Sequence, residues 1–394
     1  MKILFLLGFP NPFPGAGWAR IGFFADAWSR EGHSIEILGT FTYKSFQKIG
    51  SRKADNVNIF NIIFSIGINN PMIFALNCLI SLLVSTLFLL TRKPAITIVS
   101  MPPGDIGVGA LMACILTKTK SIVDYRDEWE VYATNLANTQ LNKKIYCAIK
   151  KFTNLLYTKT SLLVAVTQPT LKTLIKRGLK NVELITNGAD IRTFKPLITE
   201  KIDKTFTIFY SGGIGGYYRL DVVVKAIKEL FNKGLSNIRL AIASGDEIQP
   251  LLRLSDELGV SKNIKYLGSI EEKTELAKLI AMSDVGTIPY DNNPLWKNTV
   301  PAKFYEYCAC GIPVIATTYN DSLLAELIRT YQIGLTCPPL NEKKLANVIY
   351  WLYENKDFRD AAGQRSRKLV EEKFDRNKIA KEYLSVIEKM VAQK

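Results

Sequence analysis

Lys303 and Glu306 stand three residues apart in the stretch VPAKFYEYCACGIPVIAT, residues 300–317, a spacing that puts both side chains on one face of a helix. Pro301 suits a first helical turn, where its missing N–H costs nothing. Gly311 supplies the left-handed residue that ends the helix, and Pro313 followed by Val314, Ile315 and Ala316 reads as a short strand. Near a helix N-terminus the backbone dipole favours anions and disfavours a lysine, so Lys303 needs an anionic partner. Glu306 can be that partner, as a surface pair contributing roughly 0.2–0.5 kcal/mol. Alternatively a phosphate lies against Lys303 and the helix N-terminus, and the Glu306 carboxylate accepts hydrogen bonds from sugar hydroxyls. On either account both groups should face solvent.

A second charged cluster, DYRDEW at residues 124–129, follows a strand-like run from Ser121. The C-terminal end of a parallel strand is where an open α/β sheet places its ligands, which makes Asp127 a candidate; a structural Arg126–Asp127 ion pair is the other account. Gly15 and Gly17 in GFPNPFPGAGWAR precede a helix from about Trp18 to Arg30. There they either let the backbone approach a phosphate or simply form a turn. SGGIGGYYRLD, residues 211–221, has four glycines between a strand and an amphipathic helix. Close backbone approach to a ligand explains the excess, with loop flexibility as the alternative.

These groups need a scaffold. Runs beginning at Lys2, Ile35, Ala95, Ser121 and Leu162 read as strands alternating with helices, and runs beginning at Phe206, Ile238, Ile264 and Val285 repeat the pattern. Such alternation predicts parallel sheets. A chain of 394 residues exceeds what one core supports, so two domains are expected, residues 1–195 and 204–374, joined by a linker from Lys195 to Lys204.

With 47% apolar and 22% charged residues the chain is globular. Its formal charge of +15 fits nucleic acid, an anionic membrane surface or phosphorylated ligands. The basic residues are scattered and interrupted by acids, which argues against nucleic acid. Six cysteines without Cys-x-x-Cys spacing argue against zinc and for free thiols in a reducing cytoplasm. One histidine, His33, excludes a multi-histidine metal centre. The N-terminal KILFLLG reads as a first strand, since no long apolar core with a cleavage site follows it.

The run from Asn56 to Thr91 carries no charge, and Met72–Leu90 is nearly all apolar. As a helix that segment is about 28 Å long, enough to cross a bilayer core. The strands starting at Lys2 and Ala95 should share one sheet, which a single crossing would divide. The helix is therefore either buried or dips into the cytoplasmic leaflet, where Arg52, Lys53, Arg92 and Lys93 flank it and favour anionic lipid.

The pattern P-x-K-x-x-E-Y-x-A-x-G-x-P-V-I around Lys303 and Glu306 resembles the donor-site signature of the family 4 glycosyltransferases of the GT-B fold. SMPPG through DYRDEW resembles the S-x-P-P and D-x-R-D-x-W pair of bacterial members that build surface polysaccharides, and NVELITNGADIRTFKP is similar to the family's P-N-G-x-D-x-x-x-F stretch. The resemblance implies an α/β architecture of two doubly wound Rossmann-like domains facing each other across a cleft. The first would bind an acceptor and the second a nucleotide sugar, with a C-terminal helix, residues 375–394, packing back on the first.

It also implies roles for particular residues. Glu306 would hold the nucleotide ribose, and Lys303 with Arg219 would contact the diphosphate. Gly15, Gly17 and Gly213 would approach the donor, and the loops carrying Gly245, Asp246, Ser269 and Ile270 would cradle the base. Asp127 would lie on the acceptor side. The family commonly has a second Glu eight residues before Glu306; this chain has Asn298 there. The implied activity is retaining transfer of a hexosyl or N-acetylhexosaminyl group to a lipid-linked glycan, needing no metal or other cofactor, by a peripheral enzyme at the cytoplasmic face of the plasma membrane. A sugar-nucleotide epimerase or hydrolase of the same fold, or a non-catalytic sugar-nucleotide-binding subunit, are the alternatives.

Overall fold

The computed structural model describes residues 1–12, 16–54, 57–67, 70–197 and 205–392. Gly15 lies outside them, as do linker residues 198–204, and the side chains of Arg52 and Lys53 are likewise outside the description. The chain forms two compact units, Met1–Thr186 with Ile379–Lys394, and Asn187–Lys378.

The first unit is built on an eight-stranded sheet of β1 (Lys2–Leu6), β2 (Ser34–Phe41), β3 (Gly50–Ala54), β4 (Val57–Phe64), β5 (Ile96–Met101), β6 (Ser121–Tyr125), β7 (Leu162–Ala165) and β8 (Val182–Leu184). Their spatial order is β3-β4-β2-β1-β5-β6-β7-β8, parallel throughout except that β3 runs against β4. The helices are α1 (Ala16–Arg30), α2 (Pro71–Arg92), α3 (Gly104–Leu116), α4 (Trp129–Leu136), α5 (Gln140–Tyr157) and α6 (Gln168–Lys176). Winding reverses at β1, which has β2 on one side and β5 on the other. Such a switch point leaves a crevice at the strands' C-terminal ends.

Apolar residues of successive strands point to both faces, so the sheet is buried twice. Ile3, Phe5, Phe24 and Trp28 pack on one side, and Leu4, Leu6, Leu111 and Tyr125 on the other. β4 falls inside the uncharged run that begins at Asn56, and β3, which carries Arg52 and Lys53, lies just before it. Residues 57–64, VNIFNIIF, alternate buried with more exposed positions, the period of a strand.

The second unit has an all-parallel sheet of β9 (Phe206–Ser211), β10 (Ile238–Ala243), β11 (Ile264–Gly268), β12 (Val285–Pro289), β13 (Val314–Thr317) and β14 (Gly334–Cys337), in the order β11-β10-β9-β12-β13-β14. Helices α7 (Leu220–Asn232), α8 (Gln249–Glu257), α9 (Lys273–Ala281), α10 (Ala302–Ala309), α11 (Leu323–Thr330), α12 (Glu342–Glu354) and α13 (Lys356–Lys373) accompany it. Here the winding reverses at β9, between β10 and β12.

The division at Thr186 and Asn187 comes earlier than the sequence suggests. Ala189 exchanges backbone hydrogen bonds with Phe374 and Arg376, and Phe194 is buried in the second core. Residues 187–197 thus find their partners in the second unit. The last helix, α14 (Arg376–Ala392), delivers Tyr383 against Phe24 and Trp28, with ring centroids 5.6 and 5.4 Å apart. The Trp28 indole donates to the Ala380 carbonyl at 2.9 Å, so the first unit's core is closed by the chain's final turns.

Candidate functional site

At the switch point of the second sheet, the loop after β9 meets the N-terminal turn of α10. Pro301 caps that helix, and Gly311 ends it at φ +74°. Lys303 in its first turn is only 7% exposed, which overturns the solvent-facing position expected for it. Its Nζ lies 3.8 Å from the centroid of the Tyr210 ring and 3.7 Å from that of Tyr218, and among the described residues it has no hydrogen-bond partner. The surface pair with Glu306 is therefore not what the lysine does.

Gly212, at φ +120°, leaves room for this arrangement: a Cβ there would stand 3.0 Å from the lysine nitrogen. Burial pushes the Lys303 pKa well below the usual lysine value, with the Glu306 charge pulling it back. The two ring faces also favour the charged form. An ammonium with three unused donors, beside a backbone stripped of side chains and against a helix N-terminus, is suited to receive an oxyanion.

Glu306, one turn on, is half-buried. Burial raises its pKa, opposed by Arg376, Lys273 and Lys303 in that order. Such a carboxylate is positioned to accept hydrogen bonds from hydroxyl groups.

The glycine-rich loop is held by its own contacts. The Ser211 N–H donates to the Tyr307 hydroxyl at 3.0 Å, and the Ile214 N–H donates to Asp246 Oδ2 at 2.8 Å; the Tyr210 hydroxyl donates to the Gly213 carbonyl. A Cβ on Gly213 would lie 3.1 Å from Asp246 Oδ2, and one on Gly245 would lie 3.5 Å from Ser269 Oγ. The loops after β9, β10 and β11 thus converge, with Ile270 following Ser269 and packing on the domain's core. Arg219 is engaged elsewhere: its guanidinium forks onto Asp221 at 2.8 and 2.7 Å, and a ligand must compete with that pair.

What the sequence reading missed is aromatic. Tyr217, Tyr218, Tyr290 and Trp296 form a row, with Tyr218 stacked on Tyr290 at 5.3 Å, Tyr290 on Trp296 at 5.5 Å, and Tyr217 against Trp296 at 4.3 Å. The Tyr217-Tyr218 pair after four glycines was its only sequence signal.

In the first unit, Asp127 follows β6 and retains a solvent face. The surrounding protein still raises its carboxyl to about 6, against the charge of Arg126. Gly17 has a reason that its sequence context hid. A Cβ there would lie 2.8 Å from Arg126 Nη1, so the missing side chain makes way for the guanidinium.

Residues 192–369 match the family model described as Glycosyl transferases group 1. An uncharacterized glycosyltransferase of Methanocaldococcus jannaschii is 20% identical over 259 residues, 64% of this chain and 64% of that protein. The chain spans less than two thirds of the length of the curated relatives it matches. Among solved structures, the sucrose-phosphate synthase of Thermosynechococcus elongatus superposes with a TM-score of 0.78 at 14% identity, covering 100% of both chains. The Anabaena HepE protein in complex with UDP-glucose gives 0.72 at 16% identity, covering 99% of this chain and 100% of that one. These structural likenesses concern the fold, which is GT-B. The likeness to the group 1 glycosyl transferases thus lies in residues 192–369, which are within the second unit.

Proposed function

We propose that the protein is a retaining glycosyltransferase that moves a hexosyl or N-acetylhexosaminyl group from a nucleotide sugar to a lipid-linked sugar in bacterial surface-polysaccharide assembly. The observation that carries this reading is Lys303, a buried cation without a hydrogen-bond partner among the described residues, held against Gly212. As the bond from the anomeric carbon to the diphosphate oxygen breaks, negative charge builds on the leaving group, and a fixed ammonium in a water-poor site stabilises it. Glu306 holds the ribose hydroxyls, and the loops at Gly213, Gly245 and Ile270 receive the rest of the donor. Asp127 serves the acceptor. The chemistry rests on positioning and charge, without a metal.

The lipid-linked acceptor is supported by α2. Its exposed side carries Met72, Leu76, Leu79, Leu83, Leu87 and Leu90, while Asn77, Ser81 and Ser85 are buried. That polarity is inverted relative to a helix on a water-soluble surface. Among the described residues it is the helix long and apolar enough to span a bilayer, but β4 before it and β5 after it belong to one sheet. Lying in the cytoplasmic leaflet satisfies both facts.

The test is incubation of purified protein with a panel of nucleotide sugars and membrane lipid extract, analysing products with and without lipid. Lipid-dependent transfer with retained anomeric configuration is expected. Turnover of the nucleotide sugar at the same rate without any acceptor would point to an epimerase or hydrolase.

A further inference from the structure

The aromatic row of the second domain has a carboxylate at its side that the mechanism above does not use. Asp291 follows β12, is half-buried, and gives only one of its two oxygens to the protein. Oδ1 accepts from the Asn293 N–H at 3.0 Å and from the Trp296 indole N–H at 2.5 Å, while among the described residues Oδ2 accepts no hydrogen bond. Arg219 lies within reach of the Asp291 charge, but its fork is bonded to Asp221. A carboxylate fixed by one oxygen presents the other in a set direction, as a strong acceptor for hydroxyl groups.

Two loops build this place. Strands β9 and β12 are neighbours at the reversal point of the sheet. Beyond their ends Tyr218 bridges to Tyr290, and the Asp291 N–H donates to the Tyr217 carbonyl at 2.9 Å. The Tyr319 hydroxyl donates to the Asn292 carbonyl at 2.5 Å, and the Asn293 side chain accepts from the Leu295 N–H at 3.1 Å. Both loops are thus set before a ligand arrives, which lowers the ordering cost of binding.

Tyr217 completes the arrangement. Its ring centroid is 4.6 Å from that of Tyr218 and 4.3 Å from that of Trp296, yet 38% of the residue stays exposed. An aromatic surface beside a fixed carboxylate oxygen matches the two sides of a pyranose, with C–H groups on its face and hydroxyls at its rim. The row also has a direction. Tyr218 touches the Lys303 ammonium, 3.7 Å from its ring centre, so a sugar on Tyr217 lies one ring away from the cation suited to phosphate. A nucleotide sugar requires that adjacency, because its pyranose is bonded directly to the diphosphate.

We propose that Tyr217, Trp296 and Asp291 seat the transferred sugar, the pyranose resting on the aromatic pair and Asp291 Oδ2 accepting a hydrogen bond from one of its hydroxyls. These residues select the sugar, whereas Lys303 serves any nucleoside diphosphate. The assignment rests on the transferase reading for one point, that the ligand is a nucleotide sugar.

The experiment is isothermal titration calorimetry of the purified protein with a panel of UDP-, GDP-, ADP- and dTDP-sugars, each paired with its parent diphosphate. Asp291→Asn keeps an acceptor for Trp296 and Asn293 but turns the outer oxygen into an amide donor. It should weaken the best-bound sugar nucleotide roughly fivefold to tenfold, the difference between a charge-assisted and a neutral hydrogen bond, and change the parent diphosphate by less than about twofold. Equal losses for the two ligands, or no loss for either, overturn the proposal. Unchanged affinities with a raised KM for the lipid acceptor would give the platform to the acceptor's sugar and overturn it as well.

Should Asp291→Asn fail to fold, Tyr217→Ala carries the test. It should weaken the sugar nucleotide by at least about fivefold, the scale for truncating a ring that anchors a ligand, and Tyr217→Phe should restore most of that loss. An unchanged affinity in the alanine variant overturns the proposal. None of the titrations needs turnover. If no member of the panel binds the wild type, the nucleotide-sugar reading itself fails; if one binds and the variants leave it unaltered, that reading stands and only the sugar seat is lost.

Discussion

The Lys303 ammonium nitrogen sits 3.7 Å from the centre of the Tyr218 ring, with Tyr210 at 3.8 Å. An aromatic box therefore does for this lysine what a carboxylate does for most buried cations. It fixes the charge without consuming its hydrogen-bond donors.

Removing the box should weaken anion binding without unfolding the domain. Tyr218→Phe keeps the ring face and should leave the affinity for UDP within about twofold. Tyr218→Leu loses the cation–π contact, of about 0.5–2 kcal/mol, and should raise the dissociation constant roughly threefold to thirtyfold. Isothermal titration calorimetry with UDP decides; equal losses in both variants would assign the effect to the hydroxyl instead.

Lys303→Met should reduce turnover severely while stabilising the second domain by about 1–2 kcal/mol, because it replaces a buried, unsatisfied cation with an apolar group of similar shape. The same residue sets a pH dependence. Its folded pKa is depressed, so the unfolded chain binds the extra proton over the window from that value up to the usual lysine pKa of 10.5. Wild-type stability should rise with pH across this window, while UDP affinity falls as the ammonium is lost. Lys303→Met should remove both Lys303-dependent trends, as read by thermal unfolding and calorimetry over a pH series.

Gly109 admits α2 onto α3. A Cβ there would lie 2.3 Å from the Cys78 carbonyl oxygen and 2.8 Å from Ser81 Cβ. Gly109→Ala should cost about 1–3 kcal/mol through overpacking, seen as a lower urea midpoint for the first domain. Gly32→Ala, a left-handed turn position with open space around it, should cost less and serves as the comparison.

The exposed leucines of α2 predict separable effects on membrane binding and folding. Replacing Leu79, Leu83 and Leu87 together by Gln should abolish flotation with anionic liposomes at low salt and leave thermal stability nearly unchanged, since all three are more than half exposed. Failure of the wild type to float would reject the membrane placement. A large loss of stability in the triple variant would show that these residues are packed.

Much of this was legible in the sequence because it is local. The alternation of apolar strands with helical periods announces two parallel sheets, and Pro301, Gly311 and Pro313 bracket α10 through backbone preferences that need no tertiary partner. The spacing of Lys303 and Glu306 likewise follows from helix geometry alone. What the sequence left open depends on residues far apart in the chain. Lys303 is buried because β9 and its following loop bring Tyr210 and Tyr218 to it from almost a hundred residues away, and Gly17 is needed because β6 delivers Arg126 to the start of α1. Residues 187–197 join the second domain because Ala189 meets Phe374 and Arg376 there. The sequence determined which residue types could do chemistry and on which elements they stand. Only the tertiary structure decided which charges are paired and which are left for a ligand, because pairing depends on the packing of distant strands and loops around each group.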